Sequence, residues 1–232
     1  HAAKATPLTL PMNVQLITKQ GEQGELPLSI PAERIGDQVT AAGIPFAIAK
    51  DGKNALRLAG QTLTLKKDTR RLALLLSADS NRILDFTVGG KTVPCSVLSR
   101  TRRFASWDLY DLHETAHIQE GQLGYVSTHS HNADGTDAIA KELYFYILIL
   151  NVQGGDTVVL PRDEETLVLA ATELNTVAVP CVTPLYDRVE DRPFDYTMRL
   201  GDKLRYLRMK LPWYMGDKGR YFSCYNRGRE RE

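Results

Sequence analysis

Gly124-Tyr125-Val126-Ser127-Thr128-His129-Ser130-His131-Asn132-Ala133-Asp134-Gly135-Thr136-Asp137, followed by Lys141-Glu142-Leu143-Tyr144-Phe145-Tyr146-Ile147-Leu148-Ile149-Leu150, decides the reading of the fold. The first part is a strand that carries His129 and His131 into a polar Asp134-Gly135 turn. The second, Leu143 to Leu150, is nearly all apolar, as a strand buried on both faces must be. Polar and aromatic groups therefore meet at the edge of a dense β core.

Similar runs lie on either side. Leu8 to Thr18 and Gly43 to Ala49 read as strands, and Ala55 to Leu65 alternates around a bend at Gly60. Leu72 to Ala78 is continuously apolar. Ile83 to Val88 and Thr92 to Leu98 flank Gly89-Gly90, a two-residue hairpin signal. Thr157 to Leu160 and Thr166 to Thr172 follow. Many short strands with tight turns, and no alternation with long helices, predict an all-β fold. The expected architecture is an antiparallel two-sheet β-sandwich, jelly-roll-like, over residues 1–177. From Ala178 the composition shifts: Pro180, Pro184 and Pro193 break regular structure, and Arg199 to Glu232 holds ten basic and four acidic residues. Residues 178–232 are expected to form an extension, basic and partly helical, with Leu204, Leu207 and Leu211 on one stripe.

The chain has 232 residues, 43% hydrophobic and 25% charged, with a net charge of +1. That length buries a core without staples, and the charge balance offers no field for nucleic acid or a membrane surface. The apolar run is too short to span a bilayer. The expected protein is soluble, bacterial cytoplasmic or exported, with the compartment left open. The chain begins at His1 without Met or a leader and is read as processed or excised. Cys95, Cys181 and Cys224 form no Cys-x-x-Cys pair, so a cysteine zinc site is not expected. Dinucleotide, Walker and serine-elbow motifs are absent.

Three groups of residues carry candidate chemistry. His113-Glu114-Thr115-Ala116-His117 matches His-Glu-x-x-His. On a helix its histidines share a face and can ligate zinc while Glu114 acts as base. The window Ser106 to Glu120 reads as the helix in question, but strands surround it and it ends at Gly121. A zinc hydrolase is thus the rival reading, and the main reading expects no metal and no cofactor. Second, His129 and His131 stand two apart on a strand, so their side chains leave one face and can take a ligand or a metal. Third, Asp134, Asp137 and Glu142 supply carboxylates near that loop, and Tyr144 or Tyr146 a hydroxyl that needs a partner. Asp134 beside Gly135 also fits a plain turn role.

The collinear block Thr128-His129-Ser130-His131, Asn132 to Asp137, Glu142-Leu143-Tyr144-Phe145-Tyr146, Val159-Leu160-Pro161-Arg162-Asp163-Glu164 and Leu167 to Thr172 resembles the C-terminal β region of bacterial glycoside hydrolase family 38, the α-mannosidase family. Gly43-Ile44-Pro45-Phe46, Gly60 to Leu65, Leu72 to Ala78 and Pro184-Leu185-Tyr186-Asp187 extend the likeness to roughly residues 40–190. In that family the zinc and the catalytic carboxylates belong to an N-terminal domain with no counterpart in this sequence. The resemblance therefore implies a non-catalytic accessory β-sandwich domain that binds glycan or packs on an adjacent catalytic domain. His129, His131, Asp134 and Tyr144 are the expected carbohydrate-binding or interface residues, and carbohydrate or that adjacent domain the expected partner. A structural or interaction domain without ligand, using its basic tail, is the remaining alternative.

Overall fold

The computed structural model describes residues 4–102, 105–110, 113–118 and 121–176, with the backbone alone for 105–110 and 113–118. In chain order the strands are β1 (Ala5–Leu8), β2 (Ile17–Thr18), β3 (Leu28–Pro31), β4 (Gln38–Ala41), β5 (Ile44–Ala47), β6 (Leu56–Ala59), β7 (Thr62–Thr64), β8 (Arg71–Ser77) and β9 (Arg82–Val88). There follow β10 (Lys91–Val97), β11 (Ala105–Tyr110), β12 (His113–Ile118), β13 (Gln122–Val126), β14 (Ser130–Asn132), β15 (Asp137–Ala138), β16 (Tyr144–Asn151), β17 (Thr157–Val159) and β18 (Arg162–Leu174). There is no helix among the described residues. The fold is all-β, and every named pair is antiparallel except β2 with β3.

A six-stranded sheet in the order β1-β18-β8-β16-β13, with β6 also on β18, is the middle of the molecule. Strand β8 lies between β18 and β16, with Leu74 opposite both Ala171 and Leu148. Its side chains alternate. Leu72, Leu74 and Leu76 enter a core shared with Phe86, Val97 and Val158 of the β10-β9-β17-β7 sheet. Ala73 and Leu75 enter a second core with Ile30, Phe46 and Phe145. This sandwich of two sheets is the expected one, and the continuous apolar run Leu72 to Ala78 reflects burial on both faces. The second core lies on the other face of the central sheet, under β2, β3 and β5 and the loops between them.

Several expectations fall in place with shifted ends. The Gly89-Gly90 hairpin joins β9 to β10, and both glycines have positive φ, as the tight turn between twisted strands requires. Gly60, at φ +80°, bends the chain between β6 and β7. The long strand expected from Leu8 to Thr18 is instead β1, an irregular stretch, and the two-residue β2. Buried Asn54 holds that stretch in place. Its Oδ1 accepts from the Leu16 and Ile17 amides at 2.8 Å, and its Nδ2 donates to the Ile17 carbonyl at 2.8 Å. A side chain thus replaces the strand ladder that this segment lacks.

The larger correction concerns residues 106–120. The expected helix is a strand ribbon, β11 paired with β12 from Ala105 opposite Ile118 to Tyr110 opposite His113. On a strand, residues four apart stand about 13 Å apart, against about 6 Å along a helix. The His-Glu-x-x-His letters are present without the helix that gives them meaning. The extension expected over 178–232 lies outside the described residues.

Candidate functional site

The site forms on a second four-stranded sheet, β15-β14-β3-β2. Strand β14 pairs with β15, His131 opposite Asp137, and with β3, His131 opposite Ser29. The β14–β15 turn packs on the loop after β2. The Gly21 amide donates to the Gly135 carbonyl at 3.1 Å and the Gly24 amide to the Ala133 carbonyl at 3.0 Å. Gly135 has φ +82°, and a Cβ there would lie 2.7 Å from the Gly21 carbonyl carbon, so only glycine fits. On the other side of β14, Ser127 and Ser130 fix the loop. The Ser127 hydroxyl accepts from the Leu143 amide at 2.8 Å, and the Ser130 hydroxyl donates to the Lys141 carbonyl at 2.6 Å.

These contacts bury His131 completely. Its Nδ1 lies 3.0 Å from the Thr18 hydroxyl, which lies 2.7 Å from the Ser29 hydroxyl. The Ser29 hydroxyl in turn donates to the His131 carbonyl, at a long 3.5 Å. Each hydroxyl has one proton to give. If Ser29 gives its proton to the carbonyl, Thr18 must give its own to Ser29, and Nδ1–H must donate to Thr18. In that direction of the chain Nδ1 carries the proton and Nε2 is the free ring nitrogen.

Nε2 of His131 faces two carboxylates. It lies 3.4 Å from Glu33 Oε1 and 3.5 Å from Asp137 Oδ1, yet it is buried with no hydrogen bond to either. His129 comes to the same place from two residues earlier. Its Nε2 lies 3.9 Å from both of those oxygens, and its Nδ1 lies 3.0 Å from the Thr128 hydroxyl. The two imidazole centroids are 5.8 Å apart. Donor atoms of Glu33, His129 and His131 all fall within 4.8 Å of one another, the one such convergence of three groups found among the described residues. Tyr125 adds a second buried polar atom without a hydrogen bond, its hydroxyl oxygen. Burial, and then the Glu33 charge, push that phenol up to about 12.

Glu33 also lines an open groove of about 430 Å³ with Lys19, Gln20, Ala32, Lys50 and Asp51. Lys19 lies 3.5 Å from Asp51, and Lys50 lies 3.0 Å from Asp37. The groove lining therefore holds two ammonium groups and two carboxylates.

Of the residues singled out from sequence, His129 and His131 come together, but not on one strand as expected: His131 is on β14 and His129 on the bend before it. Asp137, noted as a nearby carboxylate, joins them through the β14–β15 pairing. Asp134 is exposed and its carboxylate is taken by its own turn, accepting from the Thr136 amide at 3.0 Å and hydroxyl at 2.6 Å. Those two bonds hold its carboxyl below the usual range. Tyr144 is half-buried at the start of β16, and its hydroxyl donates to Glu142 at 3.4 Å. Glu33, Thr18 and Ser29 were not found from the sequence. They are far from the histidines along the chain and reach them through β3 and the β2 segment packed beside it.

Sheets, cores and connections together define an antiparallel β-sandwich domain with a polar cluster at one end. The family model of the AziU2-like beta-sandwich domain matches residues 4–177, and the chain belongs to that family. No curated protein matches it. The match supports the β-sandwich and does not extend to glycoside hydrolase family 38.

Proposed function

We propose that this chain is a non-catalytic, ligand-binding β-sandwich module, accessory to a carbohydrate-active protein, and that it holds a polyhydroxylated ligand of the glycan class. The observation that carries this reading is the groove beside Glu33. There Lys19, Gln20, Lys50 and Asp51 place donors and acceptors side by side around an open volume. Sugar hydroxyls both give and accept protons, so a wall that carries both ammonium and carboxylate groups suits them better than a wall of one sign. The resemblance of residues 40–190 to the α-mannosidase β region supplies the ligand class.

A glycan array followed by calorimetry with mannosides on the whole chain tests the reading. Saturable binding weakened by Lys50→Ala is expected. A folded chain that binds no glycan, or one whose binding is unchanged by Lys50→Ala and Lys19→Ala, contradicts it.

A further inference from the structure

We propose that Glu33, His129, His131 and Asp137 form a site for a first-row divalent cation of the zinc class. The Thr18–Ser29 hydroxyl chain engages Nδ1 of the buried His131, and Nε2 is the ring nitrogen that faces the cluster. What it meets there are two acceptors, at 3.4 and 3.5 Å. Acceptors that converge without a hydrogen bond repel one another unless a cation lies among them.

Neither carboxylate oxygen forms a hydrogen bond with Nε2. A metal ion has different requirements. Donors bound to one tetrahedral zinc at about 2.0–2.1 Å stand about 3.4 Å from each other. The four nitrogen-to-oxygen separations here are 3.4, 3.5, 3.9 and 3.9 Å. The His131 pair already has the spacing, and His129, part-exposed on the loop before β14, has a few tenths of an ångström to close. Two imidazoles with carboxylates select zinc, cobalt, nickel or copper over magnesium and calcium, which take oxygen donors throughout.

The surroundings are those of a ligand set prepared in advance. A ligating histidine ordinarily gives its other ring proton to a fixed acceptor, which sets tautomer and orientation. Thr18 does so for His131, with Ser29 behind it, and the Thr128 hydroxyl is placed to do so for His129. Glu33, His129 and His131 supply the three clustered donors, and Asp137, outside that cluster of three, stands beside the histidines with Oδ1 3.5 and 3.9 Å from their Nε2 atoms. An ion there joins the turn after β3, the loop before β14 and strand β15, three segments of which none has long strand pairing of its own. It shares Glu33 with the proposed glycan groove but does not depend on any glycan being bound.

The test uses the whole chain, stripped with chelator and titrated with zinc alone by calorimetry. Cobalt serves as the spectroscopic probe and circular dichroism as the check on folding. Wild type is expected to bind one zinc per chain and to melt at a higher temperature with it. His129→Ala and Glu33→Gln, both outside the apolar core, are expected to abolish the saturable binding while staying folded. Thr18→Val, which keeps the side-chain shape, is expected to weaken it about 10–100-fold. A His113→Ala, His117→Ala double variant is expected to bind as wild type does. The proposal is overturned if the folded wild type takes up no zinc or cobalt. It is equally overturned if uptake survives both His129→Ala and Glu33→Gln, or is lost only in the His113, His117 variant. Zinc uptake without glycan binding contradicts the glycan reading alone, and glycan binding without zinc uptake contradicts this one alone.

Discussion

Strand β8 and strand β14 are both buried, and they are buried in opposite ways. Leu72, Ala73, Leu74 and Leu75 of β8 are 0% exposed and face apolar side chains on both sides. Ser130 and His131 of β14 are also 0% exposed, but they face hydroxyls, carbonyls and carboxylates. Burial of β8 is favourable by itself, because each leucine leaves water for a close-packed interior. Burial of β14 is favourable only where every polar atom finds a partner. At β14 nearly all do, and the exception is Nε2 of His131. One strand builds the fold. The other depends on the fold to hold one buried, unpaired polar atom in place.

Four substitutions or titrations probe that difference, from the strongest effect to the weakest. In the apolar region, Phe46→Ala removes a fully buried ring from the second core. A loss of about 3–5 kcal/mol in urea denaturation is expected, with zinc stoichiometry unchanged in whatever fraction stays folded. A much smaller loss would mean that the second core is not packed as described.

Asn54→Ala tests the polar interior where all partners are present. It leaves the Leu16 and Ile17 amides without their acceptor. Each unpaired amide costs about 1–3 kcal/mol. Because β2 carries Thr18, zinc binding should weaken along with stability, measured by calorimetry beside denaturation.

The buried phenols give a pH dependence. Burial raises both Tyr125 and Tyr146 to about 12, against an ordinary value of 10.0. The folded chain therefore keeps protons that the unfolded chain gives up. Stability from these groups is complete below about pH 10 and is lost as pH rises from 10 through 12. Tyr125→Phe should flatten part of that alkaline decline in a melting-temperature series. A decline of unaltered steepness in Tyr125→Phe would contradict a buried, raised phenol at this position.

Asp134→Ala should have the least effect. It removes an exposed turn contact to Thr136 and nothing else described. Zinc binding equal to wild type separates Asp134, as a turn residue, from Asp137, as a ligand. A loss as large as that from Glu33→Gln would put Asp134 inside the site.

The sequence revealed most of what local periodicity controls. The apolar runs gave β8 and β16, Gly89-Gly90 gave a hairpin, and the histidine pair was found, although only His131 of the two lies on a strand. Asp137 was also within reach of such reasoning. A strand returning from a turn at Asp134-Gly135 brings a residue just past the turn opposite His131. Glu33, Thr18 and Ser29 were not, because the pairing of β3 with β14 and the parallel contact of β2 with β3 join distant parts of the chain. No local pattern encodes them. The His113 motif failed for the opposite reason. Five matching letters suggested a helix, while Ser106, Trp107, Asp108 and Leu109 alternate polar with apolar as a strand does.

The central claim is that His131 is held as the Nδ1–H tautomer, with Nε2 free for a cation. Long-range proton–nitrogen NMR of the imidazoles in chelator-stripped chain at neutral pH, before and after one equivalent of zinc, measures this directly. The account predicts an Nδ1–H, bare-Nε2 pattern for His131 whose Nε2 resonance moves on adding zinc. An Nε2–H tautomer, or an Nε2 resonance that zinc leaves in place, would contradict it.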